Sequence, residues 1–103
     1  MAIQTTYKLV DADGNPVDTK FQQWISTLSI EEQKEFFDAQ IRQDEIIQNR
    51  MDEGILVKNS QNTTVWSSRK AERTIKNDPV WKEYWDRWLD VHGYYFEFER
   101  TEL

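Results

Sequence analysis

The chain has 103 residues, a net charge of −6 and no cysteine. This length fits one domain and leaves no room for a second core. The lack of cysteine excludes disulfides, thiolate metal ligands and cysteine nucleophiles. No segment approaches the ~20 apolar residues that span a bilayer, and the first residues do not resemble a secretion signal. We therefore expect a soluble, cytoplasmic protein that does not contact membranes.

Charge is unevenly distributed along the chain. Residues 28–57 and 78–103 are acidic, with net charges of −5 and −4, whereas residues 58–77 carry +4. The overall negative charge argues against general nucleic-acid binding, because phosphate contacts need a basic surface. The alternation is typical of solvated helix faces, although it could also steer a charged partner.

The first predicted element is a strand over residues 3–9, where apolar and polar side chains alternate. The segment "DADGNPVD" follows and contains strong turn signals. A calcium-binding loop starting at Asp11 would need glycine and glutamate where the sequence has Pro16 and Gln22. We therefore predict a tight turn.

Two helices are predicted next. Thr19 is placed to cap a short helix that extends to Leu28. "SIEE" then forms a capping box of Ser29 and Glu32, and the following helix runs without Gly or Pro to Glu53.

The long helix has a predicted core-facing stripe. At 100° per residue its members fall within an arc of about 140°. They are Ile30, Phe36, Phe37, Ile41, Ile47 and Met51. Ala39 and Ile46 fall on the opposite side, which we expect to face solvent.

The remaining elements complete a small α+β pattern. Short strands at 55–58 and 63–66 form a loose hairpin, and a helix runs from Ser67 or Ser68 to Lys76. Asp78 caps a helix that begins at Pro79 and ends at Gly93, before a last strand over 94–100. We expect a mixed or antiparallel sheet of two to four strands, packed by about four helices.

The first and last strands are predicted to be neighbours in that sheet. Their apolar faces match, and Lys8 would lie near Glu97 or Glu99 across the ladder.

Residues 78–99 hold eight of the fourteen aromatic side chains. Trp81, Tyr84, Trp85 and Trp88 lie three or four positions apart and share one helix face. This face predicts burial in the core. The alternative is that one or two tryptophans line an exposed groove, because each indole N–H needs a partner.

Motifs for catalysis or cofactor binding are absent from the sequence. His92 is the single histidine and has no evident nucleophile or orienting acid. One histidine and scattered carboxylates lack metal-ligand spacing, and three isolated glycines form no phosphate loop. We expect no enzyme activity, no cofactor and no metal.

A basic segment offers an alternative function. Arg69, Arg73 and Lys76 share a helical stripe in the predicted helix, and Lys70 lies beside it. Such a patch could bind a phosphate backbone or an acidic protein. Conversely, the acidic 28–57 segment could imitate nucleic acid.

The leading hypothesis is a non-catalytic interaction, accessory or regulatory protein of the kind that viruses and mobile elements encode. It would bind a protein partner or self-associate as a homo-oligomer. The candidate contact residues are Ile46 and whichever of Trp81, Trp85 and Trp88 is exposed.

Overall fold

The computed structural model describes residues 2–74 and 76–102. Within them, one antiparallel sheet is formed by β1 (Ile3–Val10), β2 (Leu56–Lys58), β3 (Thr64–Trp66) and β4 (Tyr95–Glu102). Its strand order is β2-β3-β1-β4. The helices are α1 (Phe21–Ile25), α2 (Ile30–Asp52), α3 (Arg69–Glu72) and α4 (Pro79–His92). The α+β class and the adjacency of the first and last strands are confirmed.

β1 pairs with β4 along its whole length. The register runs from Ile3 opposite Glu102 to Val10 opposite Tyr95, and it sets Lys8 opposite Glu97 as expected. On its other edge, β1 meets β3 at one position, Ile3 opposite Trp66. Within the described residues, the middle of β1 therefore has a strand neighbour on one side only.

The predicted turn after β1 is present. The Asp11 carboxylate accepts hydrogen bonds from the backbone N–H groups of Asp13 and Asn15, at 2.9 and 3.0 Å. Val10 then bridges to Pro16. The Asp11 side chain thus stabilises the turn that follows it, as aspartate side chains commonly do.

The predicted start of α2 is also confirmed. The Ser29 hydroxyl accepts the Glu32 backbone N–H at 3.1 Å and itself donates to the Glu32 carboxylate at 3.2 Å. The helix ends before Gly54, whose φ of 75° is the left-handed conformation that favours glycine.

Two helices are shorter than the sequence predicts. α1 begins at Phe21 after Lys20, without a side-chain cap, so Thr19 does not have the predicted capping role. α3 ends at Glu72 instead of Lys76. The Arg50 guanidinium donates to the carbonyls of Thr74 and Lys76, at 3.0 and 2.8 Å. These carbonyl oxygens therefore accept hydrogen bonds from a side chain instead of from the backbone N–H groups of a further helical turn.

The predicted orientation of α2 is wrong for most of its stripe: of the six residues predicted to face the core, Phe36 is buried and Met51 is half-buried, and the other four are exposed. Its buried residues are Phe36, Ala39, Gln43 and Arg50, and Ile46 is half-buried on the same side. Four residues predicted to face the core are exposed: Ile30, Phe37, Ile41 and Ile47. The helix rotates this way because Gln43 and Arg50 find polar partners in the segment before α4.

The aromatic face of α4 lies in the core, as predicted. Tyr84 and Trp88 are buried, and Trp85 stacks on Phe21 with ring centroids 3.7 Å apart. The Trp81 indole N–H donates to the Gln40 side-chain oxygen at 2.9 Å. Trp85 is less well satisfied, because its buried N–H has no partner among the described residues.

Buried apolar residues form two clusters. The larger one joins α1, α2, α4 and β1 and contains Leu9, Phe21, Ile25, Phe36, Tyr84 and Trp88. The smaller one contains Ile3, Trp66 and Ala71. Since Ile3 and Leu9 belong to different clusters, β1 connects them.

Candidate functional site

A prominent surface feature is an apolar stripe on α2, which we call the outer stripe: Ile30, Phe37 and Ile41. Their exposed fractions are 80%, 56% and 58%. They lie within about 40° of one another around the helix, opposite the buried face. Large exposed apolar patches of this kind mark interaction sites.

Two charged residues lie on the outer stripe, and acidic residues border it along one side, which we call the acidic rim. Lys34 and Asp44 fall on the stripe itself, at the three- and four-residue spacing that continues from its apolar members. Glu31, Asp38 and Glu45 lie seven positions apart along one flank, and all three are exposed. A partner of this surface must therefore accommodate apolar side chains and negative charge together.

Polar contacts fix the inner side of α2 against α4. The Arg42 guanidinium meets the Asp78 carboxylate at 2.7 Å, and the buried Gln43 side chain accepts the Asp78 backbone N–H at 2.8 Å. Asp78 also accepts the N–H groups of Val80 and Trp81. These contacts orient the outer stripe relative to the core.

Two ion pairs between α2 and the α4 region, one at each end of α4, shift the pKa values of their carboxylates. The hydrogen bond from Arg42 is the main reason that the pKa of Asp78 lies below its usual value. At the other end of α4, the Arg87 guanidinium lies 2.9 Å from a Glu32 carboxylate oxygen, and this hydrogen bond lowers the pKa of Glu32. Both carboxylates are therefore stabilised in their charged forms.

A second exposed apolar surface, formed by two aromatic residues, lies on the sheet. Tyr7 and Phe98 are opposite each other in β1 and β4, 58% and 66% exposed, with ring centroids 5.1 Å apart. They lie beside the stretch of β1 that lacks a strand on its other edge. This pair is smaller than the outer stripe.

The structure does not bring the predicted contact residues to the surface as a group. Trp88 is 1% exposed, and Trp81 and Trp85 are half-buried against the larger cluster. Ile46 is half-buried instead of facing solvent. The exposed apolar residues of α2 are residues predicted to face the core, and the spacing of seven and four residues between Ile30, Phe37 and Ile41 fits an exposed stripe as well as a buried one.

The predicted basic helix stripe does not form, because α3 ends at Glu72. Its residues Arg69, Lys70, Arg73 and Lys76 are nevertheless all exposed. Arg69 lies 3.9 Å from the Glu102 carboxylate. The segment remains a charged surface without a continuous helical face.

His92 borders a pocket of about 260 Å³, together with Val17, Asp18, Lys20, Trp88 and Tyr94. Its Nδ1 lies 2.9 Å from the Trp88 carbonyl oxygen and must donate to it. The ring also stacks on Tyr94, with centroids 5.4 Å apart. These contacts hold the imidazole through a backbone carbonyl and an aromatic ring.

The structure describes residues 2–74 and 76–102, and two kinds of feature are absent from these ranges. In these ranges, no three His, Asp or Glu side chains are grouped closely enough to hold an ion. None of the helices in these ranges combines the length and apolar character needed to cross a bilayer.

Compared with known proteins, the chain matches no family model, no curated protein and no solved structure.

Proposed function

We propose that this is a non-catalytic interaction protein that binds another protein chain through the outer stripe of α2. The observation that carries the proposal is the exposure of Ile30, Phe37 and Ile41 in one line on a 23-residue helix. Full burial of one such side chain contributes roughly 1.5–3 kcal/mol, so a partner covering all three would gain substantial free energy.

The attachment of α2 supports this assignment. The helix is capped at Ser29 and joined to α4 through Asp78 and Gln43, so the outer stripe keeps one orientation before binding. A pre-organised surface loses less entropy on association than a flexible one. Helix-in-groove and helix–helix docking both use apolar anchors at this spacing.

The proposal extends to compartment and chemistry. A cysteine-free chain suits the reducing cytoplasm, where we place its activity. We propose that it works without an enzyme reaction, cofactor or metal, and without nucleic acid as its main partner.

Site-directed photo-crosslinking tests the proposal. A photo-reactive phenylalanine analogue at position 37 should form an adduct with a protein chain under native conditions. The same analogue at Val91, which is 68% exposed on α4, is the matched control and should form none. Equal adduct yields at the two positions, or none at position 37, would reject the outer stripe as a docking surface.

A further inference from the structure

We infer that the chain docked on the outer stripe is a second copy of this protein, with the two α2 helices packed antiparallel about a two-fold axis. This inference rests on the proposed function and names the partner of the same surface. Two-fold symmetric dimers use the same patch on both copies. The outer stripe must therefore be complementary to a second outer stripe that runs in the opposite direction.

The residue order of the outer stripe meets this requirement. In an antiparallel pair with the axis level with Ala39, Phe37 faces Ile41 of the second copy, and Ile41 faces Phe37. In the same register, Lys34 faces Asp44 of the second copy, again twice. One register therefore pairs the two central apolar side chains with each other and the opposite charges with each other.

Both charged residues are available for this pairing. Lys34 and Asp44 are exposed, and within the described residues neither takes part in an ion pair. Gln40 donates one hydrogen bond to the Asp44 carboxylate at 3.0 Å, which leaves acceptor capacity on that group.

The chain exposes more surface than a compact globular monomer of its mass. A globular monomer of 12.5 kDa exposes about 6,200 Å², whereas this chain exposes 7324 Å². Its radius of gyration is 15.4 Å, compared with about 13 Å for a compact domain of this length.

The acidic rim predicts how the dissociation constant of the dimer depends on salt concentration. An antiparallel pair brings the flank of Glu31, Asp38 and Glu45 near the same flank of the second copy, and the chains repel each other at −6 each. Salt screens this repulsion, with a Debye length near 10 Å at 0.1 M. Salt also screens the two Lys34–Asp44 pairs, but each surface pair contributes little. The repulsion between two chains of charge −6 therefore decides the sign, and dimerisation should strengthen with salt, whereas binding of a basic partner would weaken.

Sedimentation velocity with the full chain, from about 1 to 500 μM and at 50 and 500 mM NaCl, tests the inference. We expect a concentration-dependent dimer whose dissociation constant falls at higher salt. Phe37→Glu should leave a monomer with unchanged helicity by circular dichroism, because residue 37 lies outside the core. Val91→Glu is the matched control and should dimerise like the unmodified chain. A monomer at every concentration and both salts would overturn the inference, and so would a dimer that survives Phe37→Glu.

The cysteine-free sequence allows the register to be mapped directly. The double variant Lys34→Cys/Asp44→Cys should form an interchain disulfide on mild oxidation, because disulfides need Cα atoms within about 7 Å. Each single variant should not, since its own copies lie far apart along antiparallel helices. Linkage in the Lys34→Cys variant alone would indicate a parallel pair and overturn the arrangement.

The charge pair gives an independent check. Lys34→Glu should weaken dimerisation about tenfold by setting like charges together in two places. Adding Asp44→Lys should restore it, and failure to restore it would overturn the register.

The outcomes also separate this inference from the proposed function. If the chain is monomeric but the probe at position 37 captures a different protein, the inference fails and the docking surface stands. If the probe captures nothing and no dimer forms, both are wrong.

Discussion

The Arg42 guanidinium lies 2.7 Å from the Asp78 carboxylate, and this contact links the middle of α2 to the first turn of α4. Asp78 serves both helices, because its second oxygen accepts two backbone N–H groups at the start of α4. The residue combines a helix cap with an inter-helix ion pair, and its side chain is 8% exposed. Asp78 therefore provides the ionic contact of a junction that the Gln43 and Gln40 side chains also support.

Replacing that carboxylate should destabilise the protein. Asp78→Ala removes the cap and leaves Arg42 without its partner, so we expect the free energy of unfolding to fall by about 1–2 kcal/mol. Urea denaturation followed by tryptophan fluorescence measures this change. Asp86→Ala, which removes an exposed carboxylate paired with Lys82, is the control and should shift stability by less than about 0.5 kcal/mol. Equal losses in the two variants would contradict the proposed role of Asp78.

The same carboxylate should make stability depend on acid pH. The pKa of Asp78 is lower in the folded state, so the unfolded state binds its proton first as pH falls. The stabilisation is complete above the unfolded pKa, and it is lost as pH falls below about 5 and through the folded pKa. Asp78→Asn should therefore flatten the acid limb of a stability–pH curve, whereas Asp86→Asn controls for the loss of one charge. An unchanged acid limb in Asp78→Asn would show that other carboxylates cause the acid sensitivity.

Arg50 should be more important for stability than its surface counterparts. Its guanidinium is buried beside Trp66, donates to two carbonyls, and has a pKa lowered by burial. Arg50→Met keeps an apolar stem but leaves both carbonyls without this donor, so we expect a loss of about 2–3 kcal/mol. Arg69→Met, at an exposed position, should change stability by less than about 0.5 kcal/mol. Thermal unfolding would compare them, and similar midpoints would count against the capping role of Arg50.

Two tryptophans on α4 should respond differently to truncation. Trp85→Phe keeps an aromatic ring against Phe21 and removes a buried N–H that lacks a partner, so we expect a change of less than about 1 kcal/mol. Trp88→Ala empties the centre of the larger cluster and should cost about 3–5 kcal/mol. Chemical denaturation distinguishes them, and a greater loss in Trp85→Phe would mean that its indole has an unrecognised partner.

Sheet pairing was predictable from the sequence because alternation is local and has a simple period. The faces of residues 3–9 and 94–100 predicted that β1 and β4 would be neighbours, and the observed register sets Lys8 opposite Glu97. The capping box at Ser29 and the proline start of α4 were also predictable from short-range chemistry.

The orientation of α2 was not predictable in the same way. The helix carries apolar residues on two opposite faces, Phe36, Ala39 and Ile46 on one and Ile30, Phe37 and Ile41 on the other. The choice between them is made by Gln43 and Arg50, which are buried because Asn77 and the backbone near Thr74 satisfy them. Those partners are distant in sequence. Helical periodicity alone therefore predicts that the polar side chains of Gln43 and Arg50 face solvent. The candidate site was missed for this reason.

The pairing of β1 with β4 has a consequence during translation. β1 leaves the ribosome first of the described strands and β4 last, so at about 5–20 residues per second β1 waits roughly ten seconds for its partner. During this interval the nascent chain lacks the sheet that covers Leu9 and the aromatic cluster. Exposed apolar surface makes a nascent chain prone to aggregation, so slowing synthesis before β4 should increase aggregation.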